Sequence, residues 1–287
     1  MQNKIEFSST FTTNGYYVNR KVAANLKNNG VNCITITIDG PSHIHNKRRC
    51  LKSGEGTFDA ILKNVLDISD IVKVLISCTV DKENAEYIRE LLDILEKKGL
   101  AKKVLLALSQ TIAFPGTCES TKELCFNTSE FCELLKELYP VIFKRGFNLS
   151  KSMPQAYLPN CSAIGMRTII FDAEGYMYKC TKTLGKKNER IGHVSQVMKQ
   201  NNSLNNNLND NLNNNVKWLA WDPFEDKRCL SCRVLPLCMG GCPYISIQRE
   251  VPEIYGSKCR MWKYMIDDFV KILYNFRKEE KNESIKV

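Results

Sequence analysis

The chain has no apolar run of signal-peptide length in its opening residues, MQNKIEFSST, and no later run long enough to cross a bilayer. Export through a signal peptide and membrane spanning are therefore not expected, and a cytoplasmic location is. It also lacks a long basic block and any nucleic-acid-binding motif, although 41 Lys plus Arg against 31 Asp plus Glu leave a net charge of +10. That excess is spread along the chain, as on a solvated surface, and argues against a nucleic-acid partner. With 43% hydrophobic and 25% charged residues, the composition is that of a globular protein. Its 287 residues suffice for one large or two modest cores.

Cysteine, by contrast, is abundant: thirteen residues. In a reducing compartment these are expected as thiols or metal ligands rather than as a disulfide framework. Seven of them carry a spacing. Cys161 is followed by thirteen residues, Gly175, four residues and Cys180; then come Cys229, Cys232, Cys238 and Cys242 in CLSCRVLPLCMGGC, and Cys259 after sixteen more. Loops of the form C-x2-C-x5-C-x3-C gather sulfurs into a small volume, and Gly240 and Gly241 let the backbone come close to it. Two four-ligand sites need eight sulfurs, and seven are in register. Structural zinc is closed at four ligands, whereas an iron–sulfur cluster can leave one iron to another ligand. The odd count tilts the reading towards iron–sulfur and leaves zinc open.

From Phe7 to about Leu108, short strands alternate with helices. SSTFTTNG reads as a strand entering a loop, YYVNRKVAANLKNNG as a helix, and VNCITITIDGP as a strand ended by Gly40–Pro41. TFDAILKNVLDIS is a helix with Thr57 as its expected cap, VKVLISCTV a strand, ENAEYIRELLDILEKKGL an amphipathic helix and KKVLLALSQ a further strand. Alternation at this length predicts a parallel sheet with right-handed crossovers. TIAFPGTCES breaks the rhythm, a helix is expected over 129–144, and RTIIFDAEGYMYKC reads as a hairpin turning at Asp172 to Gly175. The low-complexity stretch 201–215 repeats Leu every four residues, so a poor helix and a floppy insertion are both open; MWKYMIDDFVKILYNF predicts a closing helix.

The late cysteines resemble the SPASM domain of radical S-adenosylmethionine (SAM) enzymes at all seven positions, and RIGHVSQV (190–197) is similar to the element between its two cysteine groups. The resemblance extends forward: FTTNGYYVN, ITIDGPSHIHNKRR with GEGTFDAILKNV, and VDKEN look like strand ends of the radical SAM barrel. It implies a partial (β/α) radical SAM barrel over 1–115, a helical connector over 116–155, a SPASM iron–sulfur domain over 156–262, and a closing helix and tail over 263–287. It also implies two auxiliary [4Fe–4S] clusters, the first on Cys161, Cys180 and Cys242 and the second on Cys229, Cys232, Cys238 and Cys259. Thr13, Asn14 and Thr37 would lie near bound SAM. Some relatives have an eighth Cys where Gln155 stands, so the first cluster would have an open iron.

One departure matters. The family's C-x3-C-x2-C loop, which holds the SAM-reducing cluster, is absent, and Cys118, Cys125 and Cys132 are too widely spaced to imitate it. The resemblance therefore implies an N-terminally truncated family member that does not cleave SAM alone. The intact family enzyme would act on a ribosomally synthesised peptide by radical hydrogen abstraction and cross-linking, with a reductant such as ferredoxin or flavodoxin. Thr181 stands where sulfatase-maturing relatives carry an Asp base, which points away from that role. Two rivals remain: a non-catalytic cluster- and peptide-binding protein, and a structural zinc protein. Cys33 and Cys78 are expected as core residues, Cys50 as structural, His43 and His45 as solvated or hydrogen-bonding groups, His193 as a minor candidate ligand, and Trp218 and Trp221 as packing.

Overall fold

The computed structural model describes residues 7–112, 123–150, 161–195, 209–247 and 259–284. Cys118, Gln155 and the segment 201–208 lie outside the described residues. The chain divides into two compact units, Met1–Met153 with Met265–Val287, and Pro154–Tyr264.

In the first unit, five parallel strands run in the order β1 (Ser9–Thr13), β2 (Val31–Thr37), β3 (Lys73–Val80), β4 (Val104–Gln110) and β5 (Asn148–Leu149). Helices α1 (Arg20–Asn28), α2 (Ser42–Arg48), α3 (Phe58–Ile68), α4 (Ile88–Lys97) and α5 (Thr128–Lys144) occupy the crossovers. The alternating pattern of the strands decides which face is covered. Ile34, Ile36, Val74, Ile76, Cys78, Val104 and Leu106 are buried, together with Ile61, Leu62 and Val65 of α3 and Leu91, Leu92 and Leu95 of α4. The other face carries Thr35, Thr37, Ser77, Thr79 and Ser109, and it is more open. A parallel sheet with both faces packed reads as continuous apolar runs, so the hydroxyls mark a face that is not simple core.

Local chemistry sets the boundaries. Asn127 and Glu130 form a reciprocal capping box that starts α5, with both bonds at 2.9 Å. The expected cap of α3 is corrected. Thr57 makes no capping bond, because its hydroxyl donates to the Arg49 carbonyl. Asn46 Oδ1 instead accepts from the Thr57 and Phe58 N–H groups, both at 2.9 Å. The last helix, α10 (Trp262–Ser284), belongs to the first unit from Met265 onward; there Phe269 and Phe276 meet Tyr139 and Phe143 of α5.

In the second unit, β6 (Ile170–Phe171), β7 (Tyr176–Tyr178) and β8 (Gly192–His193) form an antiparallel sheet. Asp172 makes the expected turn: its Oδ1 accepts from the Glu174 and Tyr176 N–H groups, and Gly175 has φ +88°. The third strand, inside RIGHVSQV, is an addition to what the sequence led us to expect. Helices α6 (Asn209–Leu219), α7 (Lys227–Leu230), α8 (Leu235–Cys238) and α9 (Pro243–Ile247) complete the unit. Among the described residues no helix is long and apolar enough to cross a membrane.

Candidate metal centre

Cys161 and Cys180 are presented by the same local device. Each is an extended residue, φ −131° and ψ 133° for Cys161 and φ −133° and ψ 138° for Cys180, standing at the head of a three-residue 3-10 turn. The turns are Ser162–Ile164 and Thr181–Thr183, and the Thr183 hydroxyl locks the second by donating to the Cys180 carbonyl at 2.7 Å. Burial raises the Cys180 thiol, a hydrogen bond from the Lys182 N–H opposes that, and Cys242 and Cys161 raise it further. Those two sulfurs are thus close enough to resist its ionisation. Cys161 and Cys242 are thus the cysteines that act on Cys180.

The other set is built by one loop and one distant residue. Cys229 and Cys232 share a turn in which the Cys232 N–H donates to the Cys229 carbonyl at 2.9 Å; the next turn carries Cys238, whose N–H donates to Val234 at 2.8 Å. Three consecutive left-handed residues, Met239 (φ 45°), Gly240 (φ 76°) and Gly241 (φ 83°), then swing the chain to Cys242. Gly240 is required for space as well: a Cβ there would stand 2.5 Å from Pro223 Cβ and 2.9 Å from the Trp221 ring. Lys263 Nζ lies 3.7 Å from Cys259 Sγ, and the Cys259 thiolate is the first cause of its raised pKa, with Cys232 adding to it. Arg228 is raised first by its bond to Asp226 and then also by Cys229 and Cys259. Two cations therefore stand beside this set, as thiolate donors need.

The low-complexity stretch, left open between a poor helix and an insertion, contributes a helix beside these sulfurs. The asparagine-rich stretch yields α6, which lies against the Ser162–Ile164 turn, the Lys187–Glu189 turn and α9. Asn214 Nδ2 donates to the Asn188 and Arg190 carbonyls, and Lys217 Nζ sits 2.8 Å from Glu189 Oε2. Trp218 is fully buried and stacks on Tyr244, two residues after Cys242. His193 has both ring nitrogens engaged, at 2.8 Å from Ser195 Oγ and 2.8 Å from the Glu174 carbonyl. It holds the hairpin rather than pointing a nitrogen at the sulfurs. The described cysteines are thiols without disulfides. Cys78 and Cys132 are buried, and burial raises both, Cys132 to about 12. Among the described residues, no three His, Cys, Asp or Glu side chains stand at the spacing that holds one metal ion.

Thr13, Asn14 and Thr37 sit at the C-terminal ends of β1 and β2 in the first unit. Thr13 pairs with Ile36 and so shares its helix-covered face, whereas Thr37 pairs with Ser77 on the hydroxyl-lined face. Thr13 Oγ1 accepts from the Gly15 N–H at 3.2 Å and Asn14 Oδ1 from Tyr16 at 3.1 Å, so both also shape the turn. Gly15 is fixed there by φ +84° and by Ile36, whose Cγ2 would be 2.6 Å from an added Cβ.

The following DGP block closes a ring of hydrogen bonds. The Asp39 N–H donates to His45 Nδ1 at 3.2 Å, and His45 Nε2 meets Thr57 Oγ1 at 3.2 Å. Thr57 donates to the Arg49 carbonyl, and Arg49 Nε returns to Asp39 Oδ2 at 2.6 Å. Burial holds the His45 pKa down to about 4, against a smaller opposing pull from Asp39. Asn84 ties the ring to the next strand end by donating to the Asp39 and Thr79 carbonyls at 2.7 and 2.8 Å. Arg48 bonds Asp81 and Glu83 at 2.6 and 2.7 Å.

No family model matches the chain. A stretch of 95 residues is 28% identical to the Fe-coproporphyrin III synthase of Methanosarcina barkeri, covering 33% of this chain and 23% of that relative, so the match spans about a quarter of its length. Among solved structures, native anSMEcpe with bound AdoMet and Kp18Cys peptide superposes with a TM-score of 0.63 at 16% identity, over 96% of this chain and 78% of that one. Streptococcus suis SuiB bound to S-adenosylmethionine gives 0.55 at 15% identity, over 88% of this chain and 60% of SuiB. At such identities the likeness is one of fold. In fold, then, this chain resembles the radical SAM peptide maturases anSMEcpe and SuiB.

Proposed function

We propose that the chain acts in radical SAM/SPASM maturation of a ribosomally synthesised peptide, with its second unit carrying two auxiliary iron–sulfur clusters. The observation that carries the reading is that Cys161 and Cys242 act on the Cys180 thiol, while Cys232 and Cys259 act on Lys263, and Cys229 and Cys259 on Arg228, with Cys238 on the same loop as Cys229 and Cys232. Thiolates are the donors such clusters take, and the first set, with three sulfurs, leaves one position for a further ligand. When bound, such clusters would supply one-electron acceptors. The chain's own residues present Cys161 and Cys180 from 3-10 turns, set Arg228 and Lys263 beside the second set, and pack the Gly240 turn closely against Pro223 and Trp221. Support for a peptide substrate and for SAM is indirect: anSMEcpe has been solved with AdoMet and Kp18Cys peptide, and SuiB with precursor peptide SuiA. Thr37, on the hydroxyl-lined face, is the strand-end residue best placed for a polar ligand of the first unit.

The missing C-x3-C-x2-C triplet favours a second reading, a cluster- and peptide-binding protein that does not itself reduce SAM. Both readings are tested by native mass spectrometry after anaerobic reconstitution, combined with a SAM-cleavage assay under strong reductant. The expected mass gain corresponds to two four-iron clusters, about eight irons. A gain of about two zinc ions, one per closed site, means a structural zinc protein instead. The expected yield of 5′-deoxyadenosine from this chain alone is none; turnover would overturn the assignment of SAM reduction to the absent triplet.

A further inference from the structure

The geometry points to Lys179 as the positioning residue of the first sulfur set, a role that rests on the cluster reading above. Lys179 precedes Cys180 and is 1% exposed. An ammonium is costly to bury, so its bonds matter. Its Nζ donates to two backbone carbonyls, Gly165 at 2.6 Å and Thr168 at 2.9 Å.

Those carbonyls belong to the loop that starts at Cys161. Successive turns run from Cys161 to Thr168: Ile164 N–H to the Cys161 carbonyl at 3.3 Å, Gly165 to Ser162 at 3.0 Å and Thr168 to Gly165 at 3.3 Å. Fixing the last two carbonyls therefore fixes the position of Cys161. At its other end, Lys179 is joined directly to Cys180 and to β7, which is paired on both sides. One side chain thus ties the two cysteine-bearing turns across eighteen residues of sequence. Lys182, not Lys179, is the lysine that acts on the Cys180 thiol, so the tie works through geometry rather than charge. The second set has no such tie to Lys179: its sulfurs are carried by the 229–238 loop and by Cys259.

The role predicts a selective loss. Lys179→Met keeps an apolar stem of similar length and removes the donors. Reconstituted anaerobically, it is expected to hold about four irons where the parent holds about eight, with the electron paramagnetic resonance signal of one reduced cluster lost and the other unchanged. Lys179→Gln, which keeps a donor, is expected to lie between. A second readout needs no iron: in metal-free protein, dibromobimane should bridge Cys161 to Cys180, as mapped by peptide mass spectrometry, and the yield should fall several-fold in Lys179→Met.

A fall in bridging with a colourless parent protein keeps the tie and sinks the cluster reading. Unchanged bridging, or equal loss of both clusters, overturns the tie. Failure of both variants to fold, judged by circular dichroism, also overturns it, because the proposed role is local.

Discussion

His45 shows how much a single side chain in the DGP block carries. Its Nδ1 accepts from the Asp39 N–H, so the ring is neutral with its proton on Nε2, facing Thr57. Its folded pKa, about 4, lies below the ordinary value of 6.5. The unfolded chain therefore takes up a proton that the folded chain refuses. The contribution is fully present above pH 6.5 and is lost as pH falls from 6.5 towards 4, by up to about 3 kcal/mol. Urea midpoints across that window should fall with pH, and His45→Asn should flatten the slope; an unchanged slope would show that the ring does not exclude the proton. The carboxylates held low by partners, Asp70 by Arg20 and Asp268 by Lys136, act only in more acid solution and leave that window clear. None of this ring was legible in the sequence. His45 was expected as a solvated or hydrogen-bonding group, and its partners lie six and twelve residues away on different elements. The cysteine spacing was legible because metal ligation demands sulfurs at short, fixed intervals.

At the scale of elements, periodicity marked β1 to β4 and the helices α1, α3, α4 and α5 to within a few residues, because buried parallel strands and amphipathic helices leave strong patterns, whereas α2 and the two-residue β5 were not anticipated. Caps and short strands were harder. Thr57 had the composition of an N-cap, but its hydroxyl was claimed by the Arg49 carbonyl and the role passed to Asn46, eleven residues earlier. Asn46→Ala should therefore destabilise the first unit by about 1–2 kcal/mol, since two N–H groups at the start of α3 lose their acceptor; chemical denaturation of the variant measures it. The same Asn46 leaves no room at Gly56, where an added Cβ would stand 2.3 Å from Nδ2. β8 escaped notice because two residues carry no periodicity, and α6 was left open between a poor helix and an insertion because asparagine disfavours helix interiors. Tertiary contacts override that propensity: Trp218 is buried against Tyr244 and Asn214 bonds two carbonyls. Trp218→Ala is expected to cost about 3–5 kcal/mol, the range for emptying a buried aromatic site, and to lower metal loading of the first sulfur set, whose Cys161 turn and Cys242 segment α6 and Trp218 support. Full loading at normal stability would remove α6 from the scaffold.

At the scale of the whole molecule, two units divide the chemistry. One offers strand ends and a hydroxyl-lined sheet face; the other offers seven spaced thiols on turns. The SPASM resemblance foresaw the α/β sheet and paired the sulfurs into two groups. It did not foresee that Thr13 and Thr37 occupy opposite faces of the sheet, because a one-residue difference in strand register is invisible without the partner strand.

The central claim is that the two sulfur sets each hold a separate multi-iron centre. Iron, zinc and sulfide analysis of anaerobically reconstituted parent, Cys180→Ala and Cys232→Ala tests it most directly. The account predicts about eight irons in the parent, roughly half that in each variant, and visible charge-transfer absorbance in all three. Colourless protein with about two zinc ions, or cysteine variants that keep the parent's full iron, would contradict it.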